Sequence, residues 1–209
     1  MKIEVHELFP TPLWAVEISS AEFEPLNAKL KNEIESLITP RPLLPIGRNY
    51  QTSQDLHKRP AFADFVKLVE TAASNIARSL DVNRYPMTIT GCWANINPVG
   101  SSHPTHNHPN NYLSGVYYVA VPETECHLIL EDPRPGIMMP NSQNGRFMSN
   151  SAVAETRAGL MVFFPSWLRH SVPSNQGPSE RISIAFNLMF TNFAETISAP
   201  IWTPNTGNR

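Results

Sequence analysis

Three of the chain's seven histidines fall within six positions, in His103-Pro-Thr-His106-Asn-His108-Pro109. In an extended chain, residues i and i+2 point to the same side. His106 and His108 can therefore converge on one ion. A further histidine, His170, closes the run Met161-Val-Phe-Phe-Pro-Ser-Trp-Leu-Arg-His170. Two ligands from one strand end and a third from a distant strand make a facial set, with open positions left for substrate or oxygen. Neutral imidazole suits Fe, Zn, Cu and Ni alike, so these residues do not select the metal. His103 is expected outside the metal shell, as a surface-loop histidine. His6, His57 and His127 have no partner nearby in sequence and read as ordinary.

Eleven residues after His170 begins Arg181-Ile-Ser-Ile-Ala-Phe-Asn187. Ile182, Ile184, Phe186 and Leu188 share one strand face. Arg181, Ser183, Ala185 and Asn187 share the other. A guanidinium is always charged and can hold a carboxylate through two parallel hydrogen bonds. Arg181 with Ser183 is thus a candidate site for an anionic cosubstrate. Tyr118, from Leu113-Ser-Gly-Val-Tyr-Tyr-Val-Ala-Val121, can bring a hydroxyl to the same anion, whereas Tyr117 faces the core. Trp93, Asn95 and Asn97 alternate along one strand face and are candidates for a substrate pocket.

The elements that must carry these residues follow from hydrophobic period. Ile3–Phe9 alternates like a strand, is interrupted by Pro10 and Pro12, and Leu13–Ile18 resumes it. Phe23, Leu26, Leu30, Ile34 and Leu37 recur at helical spacing, with Ser20 as the expected N-cap. Phe62, Phe65, Val66, Val69, Ala73, Ile76 and Leu80 make a second helical stripe. Both helices are expected to pack on the outside of a sheet. Residues 39–59 read as loop and, with Arg48-Asn-Tyr-Gln-Thr-Ser53, as one wall of a site entrance. From residue 86 the period becomes that of strands, at 87–97, 111–121, 126–131, 152–156, 160–164, 168–173 and 181–190. Residues 132–150 have no clear period and read as a functional loop.

This pattern is mainly β with α: a double-stranded β-helix, jelly-roll or cupin-like, with two supporting N-terminal helices. One domain is expected over 1–209, comprising an N-terminal strand and helical support (1–85), the jelly-roll core (86–192) and a C-terminal tail (193–209). A formal charge of −2 and a pI near 6.4 give no global attraction to nucleic acid or an anionic membrane. No apolar run has the length of a membrane span or the character of a signal peptide, so a cytoplasmic protein is expected. Cys92 and Cys126 lack metal-ligand spacing and read as buried free thiols.

Together these residues resemble the Fe(II)- and 2-oxoglutarate-dependent oxygenases. The usual pattern there is a His-X-Asp/Glu pair, a distal histidine, and an arginine about ten residues later in an Arg-X-Ser setting. More closely, the chain is similar to a family of bacterial and phage members. Its segments His106–Pro109, Leu113–Tyr118, Glu131–Arg134, Phe164–His170 and Arg181–Asn187 carry the similarity, with the opening Phe9-Pro-Thr-Pro-Leu-Trp14. One departure is chemical: His108 stands where the usual triad has a carboxylate. The resemblance implies Fe(II) on His106, His108 and His170. It implies 2-oxoglutarate chelating that iron, its far carboxylate held by Arg181, Ser183 and Tyr118, and O2 as co-reactant. It implies a hydroxylase of a small molecule or peptide side chain, with no catalytic residue beyond the metal site. The substrate itself is not legible, and the oligomeric state is open, a homodimer being one option. A three-histidine cupin-type dioxygenase without keto acid, or a non-catalytic jelly-roll binding or structural protein, are the alternatives.

Overall fold

The computed structural model describes residues 1–4, 6–122, 127–134 and 149–193. Its first strand, β1 (Trp14–Glu17), begins only after Pro12, and the described part of residues 1–13 takes no regular structure. The strand expected over Ile3–Phe9 is therefore corrected. Pro10 and Pro12 cannot donate to a ladder, and pairing starts where the prolines end, with Trp14 opposite Phe163.

Helix α1 runs Ser20–Leu37 and is capped from Ser19, one residue before the expected cap. Helix α2 (Ala63–Ser79) follows a 3-10 turn over Pro60–Phe62. Their buried stripes, Leu30 and Ile34 on α1 and Phe65, Val69, Ala73 and Ile76 on α2, pack on one side of a sheet. Asn27, a polar residue on the buried face of α1, is retained because both ends of its amide are bonded. Its Nδ2 donates to the Val119 carbonyl at 2.8 Å, and its Oδ1 accepts from the Tyr117 hydroxyl at 2.6 Å. This bridge pins the helix to the sheet, and burial pushes the Tyr117 phenol up to about 12.

The remaining strands are β2 (Tyr50–Gln51), β3 (Met87–Asn97), β4 (His103–His106), β5 (Leu113–Ala120), β6 (His127–Glu131), β7 (Ser151–Glu155), β8 (Leu160–Pro165), β9 (His170–Val172) and β10 (Arg181–Phe190). Among the described residues they form a six-stranded sheet, β1-β8-β5-β10-β3-β2, and a four-stranded sheet, β4-β9-β6-β7. Every strand pairing is antiparallel. This is the expected jelly roll with helical support. The larger sheet is covered twice. Its Cys92, Ile96, Tyr117, Phe163, Ile184 and Phe186 meet the helices. Its Tyr118, Val162 and Phe164 meet Leu128 and Leu130 of the smaller sheet.

Two short strands were not legible. Tyr50–Gln51 lies inside the expected 39–59 loop and pairs with Ile96 and Asn95 of β3. His103–His106 contains Pro104 and, among the described residues, pairs on one side only, as the edge of the smaller sheet, where a proline is tolerated. Cys92 is buried and free, as expected. Cys126, most of the 132–150 loop and residues 194–209 lie outside the described residues.

Candidate metal centre and anion pocket

A cavity of about 300 Å³ opens between the two sheets, and the candidate residues meet there. Cross-strand register explains its floor. Along β3 and β10, Trp93 faces Ala185, Asn95 faces Ser183 and Asn97 faces Arg181. On the other side of β10, β5 sets Val116 beside Ala185 and Tyr118 beside Ser183. Side chains on alternate positions share a face, so one face carries this polar row while Ile182, Ile184 and Phe186 enter the helix-side core.

The smaller sheet and its loops bring the histidines. β4 and β9 pair so that His106 lies opposite His170. The His108 N–H donates to the Ser166 carbonyl at 2.9 Å, which ties the turn after β4 to the turn before β9. Behind this turn, the buried Ser114 hydroxyl lies 2.9 Å from the Ser166 hydroxyl and 2.7 Å from Asn187 Oδ1. On the outside, the Glu131 carboxylate accepts from Thr105 Oγ1 at 2.8 Å and from Arg169 Nε at 3.0 Å. Those two donors flank His106 and His170, so one carboxylate holds both ligand strands in register.

His106, His108 and His170 each offer a ring nitrogen, and these atoms all lie within 4.8 Å of one another. Two imidazole nitrogens sharing an ion at ~2.1 Å can stand at most about 4.2 Å apart. Small ring rotations therefore close the set. The tautomers fit too. His106 Nδ1 is 2.8 Å from the Pro104 carbonyl, and His170 Nδ1 is 2.9 Å from the Leu168 carbonyl. Each Nδ1 thus carries the proton and leaves Nε2 as the lone-pair atom, the arrangement that orients imidazole ligands. Burial, with smaller contributions from the neighbouring rings, holds His108 down to about 4. His170 is likewise held down to about 4, chiefly by burial, against the opposing pull of its bond to Leu168. Both are neutral at pH 7, as metal ligation requires. No carboxylate belongs to this cluster among the described residues. Asp132 is instead engaged by Arg134, with Nη2 to Oδ2 at 2.5 Å.

Arg181 is 3% exposed and is the one permanently charged side chain among the described residues of the cavity wall. It donates from Nη2 to Asn97 Oδ1 at 3.2 Å. Ser183 and Tyr118, 4% and 3% exposed, complete the polar end. A buried guanidinium with a serine and a tyrosine beside it suits a carboxylate.

Trp93 and Asn95 line the cavity, with the Trp93 ring tilted against His108 at 5.7 Å between centroids. Asn97 does not line it. It is wholly buried, its Oδ1 accepting from Arg181 Nη2 and its Nδ2 donating to Ser101 Oγ at 3.1 Å. His103 also differs from expectation. It stays outside the three-histidine cluster but forms part of the cavity wall instead of a surface loop. Gln51 and Gln54 line the cavity, and both fall within the 39–59 stretch read as one wall of the entrance. Asn187 also lines the cavity, legible from its place on the Arg181 face.

Residues 91–187 match the family model described as "Putative 2OG-Fe(II) oxygenase". Among solved structures, HygX from Streptomyces hygroscopicus, with nickel, 2-oxoglutarate and hygromycin B bound, superposes with a TM-score of 0.61. The identity is 15%, over 88% of this chain and 84% of that one. A Pseudomonas putida prolyl-4-hydroxylase gives 0.60 at 15% identity, over 86% of this chain and 92% of that one. The non-heme alpha ketoglutarate dependent carbocyclase SnoK, from nogalamycin biosynthesis, gives 0.62 at 14%, over 86% and 79%. No curated protein matches the chain. At such identities the solved structures speak for the fold. The family match speaks for the chemistry, since it spans the histidine cluster and Arg181. Residues 91–187, a little under half of the chain, thus resemble the 2OG-Fe(II) oxygenase family, and the solved structures share its fold.

Proposed function

We propose that His106, His108 and His170 hold the iron, that Arg181 with Ser183 and Tyr118 holds the far carboxylate of 2-oxoglutarate, and that the enzyme hydroxylates a small molecule entering past Gln51, Gln54 and Trp93. The observation that carries this reading is the pairing, in one 300 Å³ cavity, of three converging imidazoles with a buried arginine. When bound, iron with 2-oxoglutarate and dioxygen supplies oxidative decarboxylation to succinate coupled to oxygen insertion into a C–H bond. The protein's own residues bind and orient. Arg181, braced by Asn97, sets the direction in which the keto acid lies. Phe164, 4.7 Å from the His170 ring, and Val116 and Leu128 keep the cavity wall apolar around the metal-binding rings. Residues 86–192 form the catalytic core, with the N-terminal strand and helices as its support.

Support for a small-molecule substrate comes from the size of the cavity, and HygX, bound to hygromycin B, has the same fold. Among the described residues no helix is long and apolar enough to cross a membrane. The test is anaerobic Fe(II) and 2-oxoglutarate binding, followed by a screen for succinate release with candidate substrates. Iron binding with no 2-oxoglutarate binding would refute this assignment in favour of keto-acid-independent chemistry. His170→Ala should abolish iron binding in a protein that still folds.

A further inference from the structure

We propose that His103 is a cosubstrate-binding residue, a hydrogen-bond donor that reaches the far carboxylate of 2-oxoglutarate from the sheet opposite Arg181. This rests on the reading of Arg181 given above. Strict alternation along β4 would send His103 and His106 to opposite faces. The pairing of β4 with β9 slips between these two residues, with His103 opposite Val172 and His106 opposite His170. Both side chains consequently line the same cavity. Such an irregularity re-aims a side chain, a common use of bulges beside active sites.

The cavity lies between the sheets, with Arg181 on β10 of the larger and His103 on β4 of the smaller. His103 is close enough to Arg181 for the guanidinium charge, after burial, to help lower the imidazole pKa to about 4. The ring is therefore uncharged at pH 7, does not repel the arginine, and retains one N–H. Its nitrogens make no side-chain hydrogen bond among the described residues, whereas His106 and His170 each commit Nδ1 to a carbonyl. A partly buried imidazole in this state is satisfied by what fills the cavity. Ligation of iron is the competing role, but His103 lies outside the set of mutually close ligand atoms.

The experiment is an anaerobic titration of the Fe(II) protein with 2-oxoglutarate and with 2-oxobutyrate, which lacks the far carboxylate. Binding is followed by the metal-to-ligand charge-transfer band in wild type, His103→Phe, His103→Asn and Arg181→Ala. Loss of one hydrogen bond to a charged group predicts roughly tenfold weaker 2-oxoglutarate binding in His103→Phe. Asn, which keeps a donor, should recover part of it, and 2-oxobutyrate and Fe(II) affinities should stay at wild-type values. Unchanged 2-oxoglutarate affinity in His103→Phe, equal weakening of both keto acids, or loss of Fe(II) would overturn the assignment. If Arg181→Ala also binds 2-oxoglutarate as wild type does, the carboxylate site itself is elsewhere, and the failure belongs to the underlying reading.

Discussion

Replacing Arg181 tests the anion pocket most directly. The guanidinium is 3% exposed, so a carboxylate bound to it is shielded from water. A hydrogen bond to a charged group contributes about 1.5–3 kcal/mol, and a guanidinium can make two to one carboxylate. Loss of both gives about 3–6 kcal/mol, and taking the lower end for relaxation and water entry still predicts at least about a hundredfold weaker 2-oxoglutarate binding in Arg181→Ala. Arg181→Lys keeps the charge but not the planar fork and should fall between. The substitution also strands Asn97 Oδ1, which Arg181 Nη2 now satisfies at 3.2 Å in a wholly buried site. An unfolding free energy lower by about 1–3 kcal/mol is expected from that alone, so binding must be measured on protein shown to be folded. Fe(II) affinity without keto acid should not change, because the arginine is outside the histidine cluster. The assay is the anaerobic keto-acid titration, paired with urea denaturation of each variant. Wild-type 2-oxoglutarate affinity in folded Arg181→Ala would refute the role.

His108→Asp recreates the histidine–carboxylate pair of the usual triad; Fe(II) binding should persist where His108→Ala weakens it, while 2-oxoglutarate binds several-fold more weakly because the site gains one negative charge. Equal metal loss in both variants, by equilibrium dialysis, would remove His108 from the ligand set. The metal-free protein should lose stability in acid. His170, 5% exposed, is held at about 4, below the ordinary ~6.5 of an unfolded histidine. The unfolded chain thus takes up its proton first, and stability present above pH 6.5 is lost as pH falls toward 4, by roughly 3 kcal/mol from this residue. His103 and His108 act in the same direction. Urea midpoints that stay flat between pH 7 and 4 would contradict this. Gly115→Ala should cost about 1–3 kcal/mol. Its Cβ would stand 2.8 Å from the Val162 carbonyl and closer still to the Phe186 ring, on the crowded path between β8 and β10. A denaturation midpoint equal to wild type would show that the sheet yields there.

Local chemistry made most of the framework legible from the residues alone. Alternation is a property of the backbone, so the two faces of Arg181–Leu188 could be read before any partner strand was known, and the helical stripes at Leu30, Ile34, Phe65 and Val69 likewise. The type and spacing of His106, His108, His170 and Arg181 pointed to one metal-and-anion site, and all four line one cavity. What lay beyond reach depended on which strands pair, and in what register. Alternation within the chain carries no signal for the slip that turns His103 into the cavity or for the register that sets His106 opposite His170. Nor does it show that Asn97 faces Arg181 across β3 and β10 and accepts a hydrogen bond from it. The N-terminal alternation misled for the same reason. A strand needs a ladder to complete, and Pro10 and Pro12, which carry no N–H, interrupt it before Trp14.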